Sequence, residues 1–221
     1  MMLSSGVMKI YFDGCSNTKG SELEDPLETR FSKLVCDHFN AEEYNIGLIS
    51  GSDRRMARNL LEHDLSQYDM FVIQLTQKSR SEYWCERDKR WKILRHSIRP
   101  KHKDDDDRKN VANIWKNYLK HVYTDELGSS NQLIYYTLMK TLLKDKPHVI
   151  IGIDFFHEMF IGKYNNISAP VDIRYEFGEP KRLHGKIIRS KTKKILPRYV
   201  GGHPTEEGHR YIADDIIEWF S

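Results

Sequence analysis

The chain has 221 residues, with 35 Lys and Arg against 32 Asp and Glu for a formal net charge of +3, and 39% hydrophobic and 11% aromatic residues. That is the size of one generous domain, or of one domain carrying a large insertion, and the aromatics supply core material that a disordered chain lacks. A charge excess this small says little about partners, so any basic surface is local.

Val7 to Phe12 reads as a buried first strand that breaks at Asp13-Gly14. From Ser21 to Asn40, apolar residues at Leu23, Leu27, Phe31, Leu34, Val35 and Phe39 mark one helical face. A short strand is expected around Tyr44 to Ile49, ending at Gly51, then a helix through Met56, Leu60, Leu61 and Leu65 that Ser52 can cap. Met70 to Leu75 is a third strand. Between about Ser79 and Leu127 the pattern changes: Trp84, Trp91 and Leu94 suggest a helix, Arg87 to Lys103 is densely basic, and Asp104 to Asp107 is wholly acidic. Ile114, Trp115, Tyr118 and Leu119 restore a helical stripe, so the segment reads as a charged helical insertion. Leu133 to Leu143 is a further helix and Val149 to Ile153 a fourth strand. Phe155 to Arg198 is irregular, with a second basic cluster from Lys181 to Arg198. A last helix spans Thr205 to Phe220, with Ile212, Ile216, Trp219 and Phe220 inward.

Strands alternating with amphipathic helices predict an α/β fold: a three-layer α/β/α sandwich around a central parallel sheet, in one domain over 1–221. Ligands in such sheets bind beyond the carboxyl ends of the strands, where Ser16, Gly51, Thr76 and the loop after Ile153 fall. Cys15, Cys36 and Cys85, odd in number and without Cys-x-x-Cys spacing, argue against a disulfide scaffold or a zinc ribbon. No apolar run approaches the roughly 20 residues of a membrane helix, and no cationic, then apolar, start suggests export. A soluble cytoplasmic protein without membrane contact is expected; the Asn166-Ile167-Ser168 sequon then carries no weight.

Two short segments carry chemistry. Gly14-Cys15-Ser16-Asn17-Thr18-Lys19-Gly20 puts a hydroxyl on a turn after the first strand, where a helix N-terminus favours developing negative charge. Gly201-Gly202-His203-Pro204-Thr205 puts an imidazole before the last helix, on a support that Pro204 and Thr205 stiffen. A serine hydroxyl needs a base to take its proton, and His203 is the candidate. His209 reads as a packing or surface residue, and its spacing from His203 does not match the i, i+4 pattern of a helical zinc pair, so no metal site is assigned. Cys15 reads as a small buried hydrophobe rather than a nucleophile.

These segments, with Ile49-Ser50-Gly51 after the second strand, make the chain resemble the SGNH (GDSL-type) hydrolase superfamily, whose sandwich is flavodoxin-like. Small members carried by tailed bacteriophages, with Gly-Cys-Ser in place of Gly-Asp-Ser, are especially similar; a phage origin would place the protein in its host's cytoplasm. The resemblance implies Ser16 as nucleophile, His203 as general base, and the N–H groups of Ser16 and Gly51 as oxyanion donors. Two departures stand out. The family's asparagine after the third strand has no counterpart, leaving Thr76, Gln77 or Arg80 as substitutes, with Arg80 the most potent because it is always charged. The family's aspartate three residues before the histidine is here Val200. A Ser–His dyad is then expected, its imidazole oriented by a backbone carbonyl or another carboxylate, Asp154 being one candidate.

The expected function is ester hydrolysis, on a small-molecule or glycan ester such as a carbohydrate O-acetyl group, with no cofactor. The alternative is a catalytically degenerate binding protein for a glycan or nucleic acid. The basic segments read as solvated surface, or as a rim attracting an anionic polymer. Trp84 and Trp91 suggest packing against the sheet rather than sugar stacking. Oligomeric state is not legible from the sequence.

Overall fold

The computed structural model describes residues 6–94, 106–154, 167, 169–177, 194–196 and 203–221. Six strands, β1 (Lys9–Asp13), β2 (Glu42–Asn45), β3 (Met70–Leu75), β6 (His148–Asp154), β7 (Ile173–Phe177) and β8 (Lys194–Leu196), form a parallel sheet in the order β2-β1-β3-β6-β7-β8. Alternation along each strand sends Ile10, Phe12, Val72, Val149 and Ile151 to one face, against Phe31 and Val35 of α3 (Phe31–Phe39) and Ile212 and Ile216 of α7 (Glu206–Phe220). Tyr11, Phe71, Ile73 and Ile150 face the other way, against Met56 and Leu60 of α4 (Asp53–Glu62) and Met139 of α6 (Asp125–Leu142). Both faces of the sheet are covered, which is why β3 is buried along its whole length and reads as a near-continuous apolar run. The expected three-layer α/β/α sandwich with a central parallel sheet is the observed architecture.

Chain order reverses between β1 and β3, the switch point at which open sheets of this kind leave a crevice beyond their carboxyl ends. Helix α4 begins as expected, with the Ser52 side chain accepting from Arg55 N. Helix α7 is capped by Thr205, whose side chain accepts from Gly208 N.

Several expectations need correction. A short α1 (Ser16–Lys19) precedes the span Ser21–Asn40, which is not a single helix but a turn α2 (Pro26–Thr29) and α3. Gly20 closes α1 in the left-handed region (φ 79); beyond it Asp25 (φ −124, ψ 82) and Arg30 (φ −69, ψ 147) are not helical, so the apolar spacing from Leu23 crosses two breaks, and Leu27 is 62% exposed. The helix around Trp84 and Trp91 is a hairpin, β4 (Ser81–Cys85) and β5 (Arg90–Leu94), in which those two residues are direct cross-strand partners with rings 5.7 Å apart. Their spacing fits a helix face, but Glu82 makes a bidentate pair with Arg58 and the guanidinium carbons of Arg54 and Arg58 lie 5.1 and 5.3 Å over the Trp91 ring. Those tertiary contacts favour the extended form, and Trp91 packs against arginines rather than the sheet. The rest of the insertion holds α5 (Asp106–His121), where Trp115 is buried and Ile114 exposed. Strands β7 and β8 arise within the stretch that reads as irregular. On α7, Trp219 is 49% exposed and donates to the His148 carbonyl instead of entering the core. Val200, residues 95–105 of the insertion and most of the second basic cluster lie outside the described residues.

Candidate active site

Strand β1 ends at Asp13, which is fully buried and accepts from Arg55 Nη1 (2.7 Å), Asn59 Nδ2 (2.8 Å) and Gly14 N (2.7 Å). Burial pushes its carboxyl up, opposed by the Arg55 charge and these donors. Arg55 also donates to the Ile46 carbonyl, so one guanidinium ties the end of β1 to the segment after β2. At Gly14 a Cβ would lie 2.1 Å from Thr18 Oγ1, so the sharp turn requires glycine. Gln74 of β3 then clamps this turn: its Oε1 accepts from Cys15 N (3.3 Å), Cys15 Sγ (3.2 Å) and Thr18 Oγ1 (3.0 Å). Cys15 is accordingly a buried packing residue, and Ser16 is the first residue of α1, 7% exposed, at the switch point. The N–H of a first helical residue has no intrahelical acceptor.

The segment after β2 folds onto this turn. Leu48 N donates to the Gly14 carbonyl (3.1 Å), and a Cβ on Gly51 would sit 2.8 Å from that same oxygen. Gly51 therefore meets the Ser16 turn in van der Waals contact, which only glycine permits. Its own N–H donates to Leu48 O at 2.7 Å. Ser50 beside it is held at φ 62, a left-handed conformation uncommon for serine.

Thr76 and Arg80 are brought together, since Arg80 Nη1 donates to Thr76 Oγ1 (2.6 Å). Asp53 accepts from Thr76 N (2.8 Å) and from Gln132 Nε2 (2.7 Å), and Gln132 also donates to the Thr76 carbonyl. Asp53 thus latches the loops after β2 and β3 to α6. Burial pushes its carboxyl up to about 6, against the lowering effects of Gln132, the Thr76 N–H and Arg80. Both Gly51 and Thr76 spend their backbone N–H groups internally in this structure.

His203 is delivered to the loop that leaves α1. Its Nδ1 lies 3.0 Å from Glu22 Oε2, at ion-pair distance though off the axis of a hydrogen bond. No hydrogen bond joins Ser16 to His203; the Ser16 hydroxyl's partner is Cys15 Sγ at 3.9 Å. His209, one helical stretch further on, is fully buried, accepts from Phe31 N at Nδ1 (3.1 Å) and stacks on the Phe31 ring. It is a packing residue, as expected. Asp154 ends β6, and its side chain lies outside the described residues. Among the described residues, no group of three or more His, Cys, Asp or Glu could hold a metal ion, and no helix is long and apolar enough to cross a membrane.

Several contributors were not singled out from sequence, Arg55, Asn59, Asp53 and Gln132 among them. Gln74 and Asp13 are polar residues at buried positions of strands, a pattern that itself demands partners. Asn17 follows Ser16, is 1% exposed, and neither atom of its amide has a hydrogen-bond partner among the described residues. Glu22 sits at φ 72, and nothing in its sequence neighbourhood pairs it with a histidine near the other terminus.

No family model matches the chain, and no curated protein matches it. Among solved structures it is similar to a two-domain esterase active on acetylated mannans (TM-score 0.47, 13% identity, 96% of this chain and 48% of that one). It is also similar to a lipolytic protein of the G-D-S-L family from Desulfitobacterium hafniense DCB-2 (TM-score 0.49, 10% identity, 96% and 99%). A third is the acetyl xylan esterase Est2A from Butyrivibrio proteoclasticus (TM-score 0.46, 9% identity, 100% and 64%). The chain spans about half the length of the mannan esterase. The likeness is coarse at these values, and the site is defined by this chain's own geometry.

Proposed function

We propose that the chain is a serine ester hydrolase in which Ser16 is the nucleophile and His203 the general base. The observation that supports this reading is the contact between the segment that leaves Ser16 and the segment that precedes α7. Ser16 opens α1 at the switch point, and His203 reaches the loop leaving that helix, 3.0 Å from Glu22. In the reaction, Ser16 Oγ attacks the ester carbonyl carbon while His203 Nε2 takes the hydroxyl proton. The carbonyl oxygen becomes an oxyanion, received by the Ser16 N–H; the Gly51 N–H, given to Leu48 O in this structure, is not counted as a donor. One such donor is worth on the order of 3 kcal/mol of barrier. The ester C–O bond then breaks, and His203 returns its proton to the departing alkoxide. Water attacks the acyl-serine, His203 accepting its proton, and the acid leaves with the Ser16 hydroxyl restored. The separation of Ser16 from His203 closes on substrate binding, since hydrogen bonds of this kind often tighten only in the loaded enzyme. O-acetylated carbohydrates are the first substrate class to screen, and p-nitrophenyl acetate the general one.

A fluorophosphonate probe should label wild type at Ser16, and neither Ser16→Ala nor His203→Ala should be labelled at a comparable rate. Equal labelling of all three would end this reading. A second reading, a sandwich that binds a glycan but no longer turns over, draws on the inward-turned N–H groups of Gly51 and Thr76. Saturable glycan binding by wild type, with no labelling and no acetate release, would establish it instead.

A further inference from the structure

A base that serves a serine needs a group on its far nitrogen, to hold the imidazole in the tautomer and direction that leave Nε2 facing the hydroxyl. In this chain the carboxylate at that nitrogen comes from the nucleophile's own segment. Glu22 Oε2 lies 3.0 Å from His203 Nδ1, at ion-pair distance and off the axis of a hydrogen bond, which a small turn of the ring would align. Its backbone is held in the left-handed region at φ 72, which a glutamate adopts only under constraint.

The constraints are visible. Ser21 N donates to the Ser16 carbonyl (2.9 Å), so the residue before Glu22 is referenced directly to the nucleophile's backbone. Gly20, left-handed at φ 79, turns the chain out of α1, and Leu23 N donates to the Gly20 carbonyl (3.3 Å) while the Leu23 side chain is buried. Glu22 is thus pinned on both sides, with its side chain projecting to the imidazole. The carboxylates of the first turn of α7 do not compete for it by contact: Glu207 accepts from Tyr211 (2.9 Å), and Glu206 is exposed. The neighbouring imidazole, His209, is committed to Phe31 N.

We propose that Glu22 is the positioning carboxylate of this site, holding His203 by Nδ1 so that Nε2 meets Ser16. The proposal rests on the hydrolase reading of Ser16 and His203. It also makes the segment from Ser16 to Glu22 a single unit that sets both hydroxyl and carboxylate, leaving the base alone to be brought in by α7.

The test compares Glu22→Gln, Glu22→Ala and Glu22→Asp with wild type, Ser16→Ala and His203→Ala. The readouts are steady-state hydrolysis of p-nitrophenyl acetate, the rate of fluorophosphonate labelling, and imidazole nitrogen NMR. Removing the acid of a fully buried triad costs on the order of ten-thousand-fold in kcat; Glu22 is partly exposed and screened by water, so roughly 10- to 100-fold is expected. The loss should fall on kcat and labelling rate, with KM held within about twofold. Glu22→Asp should recover part of the activity, and the Nδ1-protonated tautomer of His203 should dominate in wild type and give way in Glu22→Gln. The proposal is overturned if Glu22→Gln keeps wild-type kcat and the same His203 tautomer while His203→Ala is inactive; the hydrolase reading then survives without it. It is also overturned if only KM changes. Labelling that ignores both Ser16→Ala and His203→Ala removes the hydrolase reading itself, and this proposal with it.

Discussion

Acid should detach α7, and His209 is the reason. The residue is 0% exposed, its Nδ1 accepts from Phe31 N at 3.1 Å, and its ring lies 5.7 Å from that of Phe31 at an interplanar angle of 17°. Burial, and secondarily the nearby His203, push its pKa from 6.5 down to about 3. The folded state therefore holds a neutral ring, whereas the unfolded chain takes up a proton near its ordinary value. A base depressed in this way contributes stability that is present above about pH 6.5 and lost as pH falls towards the folded value. Each unit in that window is worth about 1.4 kcal/mol, so the loss is roughly 2 kcal/mol by pH 5 and on the order of 5 kcal/mol by pH 3. Against a typical domain stability of about 5–15 kcal/mol, that is a large share. The perturbation is His209→Gln, whose side-chain carbonyl can still accept from Phe31 N but cannot titrate. Urea denaturation of both proteins at pH 7.5 and pH 5 is the assay, the difference between them cancelling all other titrating groups. Wild type should lose roughly 2 kcal/mol more than the variant between the two conditions. Equal losses would refute the assignment of His209 as a buried neutral ring. Because α7 carries the His203 loop, the labelling of Ser16 expected under the proposed function should fail over the same pH range.

Three further outcomes follow from the packing of the site. Gly51→Ala places a methyl 2.8 Å from Gly14 O and 3.0 Å from Leu48 O, both backbone atoms that cannot swing aside. It should cost about 1–3 kcal/mol and depress Ser16 labelling; an unchanged urea midpoint would count against the close approach. Arg55→Ala leaves the Asp13 carboxylate buried without its cation, and a loss of about 3–5 kcal/mol by chemical denaturation is expected, while a loss under about 1 kcal/mol would show the pair to be solvated. Asn17→Leu removes an amide that is buried without partners, so the melting temperature should rise, by an amount equivalent to about 1–2 kcal/mol. A fall in melting temperature would show that the amide is bonded in solution.

The layer architecture was legible because it depends on local pattern. The apolar runs at β1, β3 and β6 are buried on both faces, and the stripes of α4, α6 and α7 have helical spacing; both signals survive without knowledge of neighbours. The Ser16 turn and the caps at Ser52 and Thr205 were also readable, because small hydroxylated residues at such places are dictated by backbone geometry nearby; the contact of Gly51 with the Gly14 carbonyl came only from the structure. Where two conformations were close in local preference, distant contacts decided. Trp84 and Trp91 fit a helix face until Arg54, Arg58 and Glu82 capture them as a hairpin. The apolar spacing from Ser21 to Asn40 crosses two backbone breaks that propensity alone does not weigh. Gln74, Asp53 and Arg55 have defined roles only once strands far apart in sequence lie side by side, since a buried polar group is specified by its partner. Glu22 is the plainest case. Its type and position are unremarkable in the chain, and its significance comes from a histidine near the opposite terminus, which only the packing of α7 beside α3 brings within 3.0 Å.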